Sequence, residues 1–289
     1  MLSRKRVTRL CYNPSVMPRL RLSAISFLNT APLMWDFEHG SLGSDFDISY
    51  TVPSVCAAQL REGRADIGII PVITYATIPD LVVIPDVTIA AQGPVRSILL
   101  VSKVPLERIE SVAADTSSRT SVALTRIVLR KWARGSHQFT PMEPDLGTML
   151  ARCDAALLIG DPALAVDRQK YHVYDMAEEW YRHTGKPFVF AFWAVRAAVA
   201  HPGLAEAFQR SRDHGLEPEN VRHIAREWAP RVGIAEDEVV SYLNASIHYH
   251  LEPECLEGMD LFFEYCMELG ILAAVPRVQF LGALRAAPR

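Results

Sequence analysis

The chain offers few of the features that make a sequence easy to assign. It has no C-x-x-C pair, and its five cysteines, Cys11, Cys56, Cys153, Cys255 and Cys266, are odd in number and widely scattered. That spacing suggests neither a cysteine zinc site nor a disulfide framework; buried thiols in a reducing cytoplasm are the simplest expectation. Nine histidines are equally dispersed. The one local pair, His248 and His250, falls in a stretch that reads as a helix, where i and i+2 side chains point to different faces. No metal is expected. Charge of one sign is not in excess either: 30 basic against 33 acidic residues give −3, far from a nucleic-acid-binding balance. No apolar run approaches the ~20 residues that cross a bilayer, so neither a membrane nor a nucleic acid is expected as partner. There is no P-loop, G-x-G-x-x-G, G-x-S-x-G elbow or H-E-x-x-H. Nucleotide, nicotinamide, serine-hydrolase and zinc-protease readings therefore lose their main support, and no cofactor is expected.

What is present is a chain of 289 residues, 49% apolar and 22% charged, ample for a sizeable core in two lobes or one large α/β unit. Residues 1–18 carry Arg4, Lys5, Arg6 and Arg9 without an apolar stretch behind them. They read as a basic, disordered tail rather than a secretory signal, with Met17 as an alternative start. From Arg19 to about Arg196, short β-rich runs alternate with helical segments. Strands are expected at Leu20–Ile25, Phe46–Thr51, Asp66–Ile70, Leu81–Ile89, Ser97–Val101, Ser111–Ala114, Gln138–Pro141, Ala155–Ile159, Tyr171–Tyr174 and Phe188–Val195. Helices are expected at Pro32–His39, from Pro53 to Gly63, at Thr120–Ala133 and at Leu146–Arg152, with a short one after Asp161. Such alternation argues for parallel sheets with helices on both faces. After His201 only helices are expected: Leu204–His214, Asn220–Trp228, Glu236–His250 and Pro253–Leu269. A helical C-terminal third must bury its apolar faces on something already built. The expected architecture is therefore two-lobed α/β, with residues 19–98 plus 192–289 as a discontinuous first lobe and 99–191 as an inserted second lobe. A ligand cleft lies between such lobes.

In open parallel sheets ligands bind outside the carboxyl ends of the strands. The segments there are Ser26-Phe27-Leu28-Asn29-Thr30, Pro71-Val72-Ile73-Thr74-Tyr75, Gly93 to Ser97, Asp115 to Ser121, and Gly160-Asp161-Pro162. They are rich in hydroxyls and amides and poor in carboxylates, histidines and thiols, which suits a small anionic ligand. Thr116, Ser117, Ser118, Thr120 and Ser121 place five hydroxyls within six residues around Arg119, at the opening of a helix. Unpaired N–H groups and the positive dipole end favour an anion there; N-capping by Ser117 or Ser118 is the plainer duty, but a cap needs only one hydroxyl. Asn29 and Asp161 could each merely cap a helix, and Ser97 could be an ordinary polar residue of a connecting strand. Physics alone leaves open whether a bound anion reacts.

The same segments carry a resemblance. Ser26-Phe27-Leu28-Asn29-Thr30-Ala31-Pro32-Leu33 resembles the opening S-[YF]-L-N-[TA]-x-P-L of the chorismate dehydratases of the futalosine menaquinone pathway. Leu60 to Gly68, Gly93 to Ser97, Asp115 to Leu124, Leu158 to Asp161 and Thr184 to Ala191 are similar to that family in the expected order. The likeness is strong from about Arg19 to Arg196 and loose beyond. It implies a type II periplasmic-binding-protein-like fold used as a cytoplasmic enzyme, a carbon-oxygen lyase. The implied reaction converts the dianion chorismate to 3-[(1-carboxyvinyl)oxy]benzoate with loss of water. No redox cofactor or metal is implied, since aromatisation drives the reaction. On this likeness Asn29 and Ser97 are the expected catalytic residues. Ser26, Thr30, Pro71, Ser118, Arg119, Thr120, Ser121, Gly160 and Asp161 are expected to bind substrate. The alternatives are the related 1,4-dihydroxy-6-naphthoate synthase, which places a histidine near Gly160-Asp161, and a non-enzymatic small-anion binding protein. An effector-sensing half of a regulator would need a DNA-binding helix-turn-helix, for which 18 N-terminal residues are too few. Monomer and homodimer stay equally open.

Overall fold

The computed structural model describes residues 19–133 and 135–282; the basic segment 1–18, with Cys11 and Met17, lies outside them. Ten strands form two five-stranded sheets. The first takes β1 (Leu20–Ile25), β2 (Phe46–Thr51), β3 (Ile67–Pro71), β4 (Leu81–Ala91) and β10 (Phe188–Arg196) in the order β2-β1-β3-β10-β4. The second takes β5 (Ile98–Ser102), β6 (Ser111–Asp115), β7 (Gln138–Met142), β8 (Ala155–Ile159) and β9 (His172–Asp175) in the order β7-β6-β8-β5-β9. The helices are α1 (Trp35–Glu38), α2 (Pro53–Arg61), α3 (Val72–Tyr75), α4 (Arg119–Val128), α5 (Leu146–Arg152), α6 (Asp161–Leu164), α7 (Met176–Thr184), α8 (Pro202–Gly215), α9 (Pro218–Val232), α10 (Glu236–Ser241) and α11 (Pro253–Glu268). Among the described residues no helix is long and apolar enough to cross a membrane.

The sheets are mixed rather than parallel. β10 runs antiparallel to β3 and β4, and β5 runs antiparallel to β8 and β9. These are the two strands by which the chain changes sheet. A strand that enters from the cleft starts where its neighbours end, so its direction is reversed. Ile98 thus sits beside Ile159, the last residue of β8, and Ala191 beside Pro71, the last of β3. The carboxyl ends of β1, β3, β6 and β8 consequently converge on one cleft.

Both faces of the central strands are covered, which is why they read as continuous apolar runs. Side chains alternate across the second sheet: Leu100, Val112 and Leu157 join the main core shared with the first lobe, whereas Leu99, Val101, Ala156 and Leu158 enter a smaller outer core with Met149 and Cys153. Each Leu, Val or Met among them, fully buried, contributes about 1.5–3 kcal/mol. Cys56, Cys153, Cys255 and Cys266 are all free and buried.

Three local departures from the expected elements shape the cleft. Leu28–Met34 is a tight 3-10 segment leading into α1, not an α-helix from Pro32; Pro32 has no N–H to continue an α-helical ladder. α8 pins this segment. Ser211, buried there, donates to the Leu33 carbonyl at 2.9 Å and accepts from the Asp36 N–H at 3.0 Å. Gly215 lies so close that a Cβ would meet the Pro32 carbonyl oxygen at 2.0 Å. Second, α7 falls where the sequence reading placed no element. Its signals were present: Asp175 caps the Ala177 and Glu178 N–H groups, and Gly185 closes it in the left-handed conformation. Third, Glu236–His250 is not one helix. α10 opens into a π-turn at Tyr242–Ser246, and the chain then runs extended from Ile247, with His248 bridging Ala90 on the outer edge of β4. The alternation of buried Ile247, Tyr249 and Leu251 with half-buried His248 and His250 is a strand pattern. These histidines therefore share a side, their rings 6.2 Å apart, but each faces a carboxylate: His248 Glu252, and His250 Asp86.

Candidate functional site

Five segments build the cleft. The residues after β1 deliver Phe27 and Asn29, Pro71 ends β3, and the crossover into β5 delivers Ser97. The start of α4 delivers Ser118 and Ser121, and the turn from β8 into α6 delivers Gly160 and Asp161. The crossover is held by Asp175, whose carboxylate accepts from the backbone N–H groups of Val95 at 3.1 Å and Arg96 at 2.6 Å. Burial pushes the Asp175 carboxyl up, and these N–H groups partly offset it. Arg96 adopts φ +65°, sparsely populated for a residue with a side chain. Asp175 is thus the anchor that fixes the backbone next to Ser97.

Ser97 is fully buried, and its Oγ accepts a 2.8 Å hydrogen bond from the hydroxyl of Tyr242, itself buried in the π-turn. Burial raises the Tyr242 pKa, opposed by its bond to Ser97, with Asp161 close enough to raise it further and Asn29 close enough to lower it slightly. Asn29, Ser97, Tyr242 and Asp161 therefore form one polar group where the two lobes meet. The sequence reading missed Tyr242, which it placed inside an uninterrupted helix. Only the break at 242–246 turns its hydroxyl toward Ser97, so period-3.6 reasoning had no signal for it.

Asp161 reaches across the cleft, its Oδ1 accepting from the Leu28 N–H at 3.0 Å. Burial pushes its carboxyl up to about 6, against the lowering effect of that N–H. Two further bonds cross between lobes: Ile73 N–H donates to Thr120 Oγ1 at 3.2 Å, and Ser54 N–H donates to the Ser117 carbonyl at 2.9 Å. Gly160 adopts φ +64°, and a Cβ there would come within 2.9 Å of the Phe27 ring. The lobes are therefore shut. The cavity they enclose, lined by Asn29, Pro71, Ser118, Ser121, Gly160 and Phe190 among others, measures about 40 Å³. Small-molecule sites run to about 300–1,000 Å³, so a ligand must part the lobes to enter.

The expected site residues divide accordingly. Asn29, Pro71, Ser118, Ser121 and Gly160 line the cavity, with Ser97 and Asp161 bonded to its wall. Thr30 is buried behind Asn29, donating to its Oδ1 at 3.3 Å. Ser26 is exposed, and Arg119 faces a different, open groove of about 610 Å³ that also holds Thr74, Thr116, Arg126 and Leu272. That groove meets the cavity only at Ser118 and contains neither Asn29 nor Gly160, so the smaller cavity that holds both is the better candidate. The hydroxyl cluster also shrinks on inspection. Thr116 donates to Glu143, Ser117 to Asp115, and Thr120 is taken by Ile73. Ser118 caps α4, accepting from the Ser121 N–H at 3.4 Å, and the Ser118 and Ser121 hydroxyls lie 3.1 Å apart. These two, with the N–H groups of the helix start, are what remains for an anion. The cleft offers hydroxyls, helix-start N–H groups and one amide as donors for an organic anion, with the Asp161 carboxyl as the one acidic group beside them.

Comparison with known proteins agrees with this geometry. A family model described as menaquinone biosynthesis matches residues 20–268. A chorismate dehydratase of Thermus thermophilus is 29% identical, the match covering 82% of this chain and 92% of that protein. Among solved structures, the alkanesulfonate-binding protein SsuA of Xanthomonas axonopodis pv. citri, bound to MOPS, superposes with a TM-score of 0.63 at 15% identity, covering 91% of this chain and 96% of its own. The ligand-binding component of an ABC-type import system from Staphylococcus aureus superposes at 0.64 and 11% identity, covering 93% and 98%. These two likenesses establish the fold: a two-lobed, periplasmic-binding-protein-like α/β architecture.

Proposed function

The chain belongs to the menaquinone-biosynthesis family, and from that premise we propose that it is a carbon-oxygen lyase that dehydrates chorismate to 3-[(1-carboxyvinyl)oxy]benzoate. One observation carries the reading: the family match runs through both lobes, from the first strand of the first sheet to the end of α11.

The elimination needs the C3–H bond to break, its electron pair to form the new ring double bond, and the C4–O bond to break with loss of the hydroxyl. No histidine or lysine lines the cavity among the described residues. The enolpyruvyl carboxylate of the substrate is the base: held over C3, it takes the proton intramolecularly. Correct positioning of this kind is worth up to about 7–11 kcal/mol. Asn29 and Ser97 orient the ring and stabilise charge developing on its carboxylate, and Tyr242 fixes the Ser97 hydroxyl. Ser118, Ser121 and the N–H groups opening α4 hold a substrate carboxylate. Asp161, with its carboxyl near 6, gives its proton to the departing C4 hydroxyl, which leaves as water. The proton taken from C3 is returned to Asp161 or solvent when product leaves, so the cycle closes.

What supports the dehydratase over the related naphthoate synthase is that this chain carries Gly160-Asp161 in the segment where that family places a histidine. Steady-state kinetics of Asn29→Ala and Ser97→Ala test the proposal. Each is expected to lose about 10²–10³ in kcat, the usual effect of removing one preorganised donor. Near-wild-type turnover in both would overturn it.

A further inference from the structure

We propose that His39, His223 and Glu227 form a binding site for one divalent transition-metal ion of the imidazole-preferring class, with Zn²⁺ as the probe. His39 is remote in sequence from His223 and Glu227, and the fold brings it to them on the outside of the first lobe. His223 and Glu227 are spaced i, i+4 on α9 and so share a face; His223 Nε2 lies 3.8 Å from Glu227 Oε1. His39 ends α1, its ring centroid 5.1 Å from that of His223. One donor atom from each residue lies within 4.8 Å of the other two. A tetrahedral ion with bonds of about 2.0–2.1 Å needs donors roughly 3.4 Å apart. Closing that gap calls for rotation of the exposed His39 and Glu227 side chains and of half-buried His223.

Trp35 shelves both imidazoles, its ring 4.2 Å from His39 and 5.4 Å from His223, which narrows their rotamers before an ion arrives. The contrast with other histidines is plain. His214 pairs with Asp36 and His183 with Glu179, and among the described residues neither joins a group of three ligating side chains. Two nitrogens and one carboxylate suit zinc, nickel or cobalt and give a poor site for magnesium or calcium, which favour oxygen. Three protein ligands leave a position for water.

The placement gives the ion a mechanical consequence. α1 continues directly from the 3-10 segment that carries Asn29, and α9 packs on that segment and on α6, which begins at Asp161. An ion joining His39 to α9 braces both from outside the cleft, without touching substrate.

The test is calorimetric titration of the full chain, stripped with chelator, with Zn²⁺ at neutral pH, alongside melting temperatures with and without the ion. The wild type is expected to bind one equivalent and to melt higher with zinc. His223→Ala should lose that equivalent and the thermal gain while its metal-free melt matches the wild type. Glu227→Gln should bind about tenfold more weakly. His250→Ala, remote from the cluster, should bind as the wild type does. Unchanged stoichiometry and affinity in His223→Ala, or no binding by the wild type at micromolar zinc, would overturn the site.

Discussion

The two sides of the cleft are built differently. The first lobe presents Asn29 from a 3-10 segment locked on one side by the buried Ser211 bonds and the close approach of Gly215, and it supplies Tyr242 from within the main core. The second lobe presents Ser118, Ser121, Gly160 and Asp161 at helix starts; α4 packs into the main core through Ala123, Leu124 and Ile127, and the outer face of the second sheet adds a smaller core with Leu99 and Met149. A segment pinned from one side suits groups that must meet reacting atoms within tenths of an ångström, and helix starts suit groups that grip a carboxylate. On this account the first lobe and the crossover at Ser97 set turnover, and the second lobe sets affinity. Asp161 is the exception, on the gripping side yet with a proton to give.

That division can be broken in several places. The largest effect after the Asn29 and Ser97 substitutions is expected from Asp161→Asn, an isostere whose amide oxygen still accepts from Leu28 N–H. Turnover should fall about 10²-fold, within the range of a lost general acid. The pH profile should change with it. A carboxyl raised to about 6 is protonated below that value and loses its proton above it. Wild-type kcat/KM should therefore decline as pH rises through about 6, and Asp161→Asn should be flat there. The same raised carboxyl has a stability consequence of fixed sign: the native state binds more protons than the unfolded chain between the ordinary carboxylate value and about 6. Stability should accordingly fall as pH rises across that window, and less so in Asp161→Asn. An unchanged kinetic profile would reduce Asp161 to a latch between lobes.

A smaller effect separates the lobes. Ser121→Ala is expected to raise KM about tenfold, or about 1.4 kcal/mol, with kcat within about twofold. A loss confined to kcat would put this hydroxyl on the reacting atoms and erase the distinction. The smallest effect is expected from Tyr242→Phe, which removes one hydrogen bond to Ser97 worth about 1 kcal/mol net. Turnover should fall several-fold with little change in KM, and urea unfolding should show a loss of about that size. A KM effect alone would place Tyr242 with the gripping side.

Much of the frame was legible in the chain itself. Leu20–Ile25, Phe46–Thr51 and Ala155–Ile159 emerge at the expected residues, because short stretches of alternating or continuous apolar residues between turn signals have few alternatives. What escaped has physical reasons. The reversed strands β5 and β10 look like their parallel neighbours, since direction leaves no mark on a fully buried strand. α7 has only nine residues and was signalled by its caps, Asp175 and Gly185, more than by an apolar stripe. At Tyr242–Ile247 helical propensity ran on past the point where the edge of β4 offered residue 248 a partner. At the cleft, counting hydroxyls at Thr116–Ser121 overstated the anion site, because Thr116, Ser117 and Thr120 are committed to Glu143, Asp115 and Ile73. Spacing also could not bring His39 to His223, since contacts of that kind exist only in the fold.

The most direct test of the central claim is to incubate the purified chain with chorismate and follow products by mass and ultraviolet absorbance. The account predicts loss of one water and appearance of the substituted benzoate. Saturable binding with chorismate recovered unchanged would contradict it and leave the chain a small-anion binder built on the same two lobes.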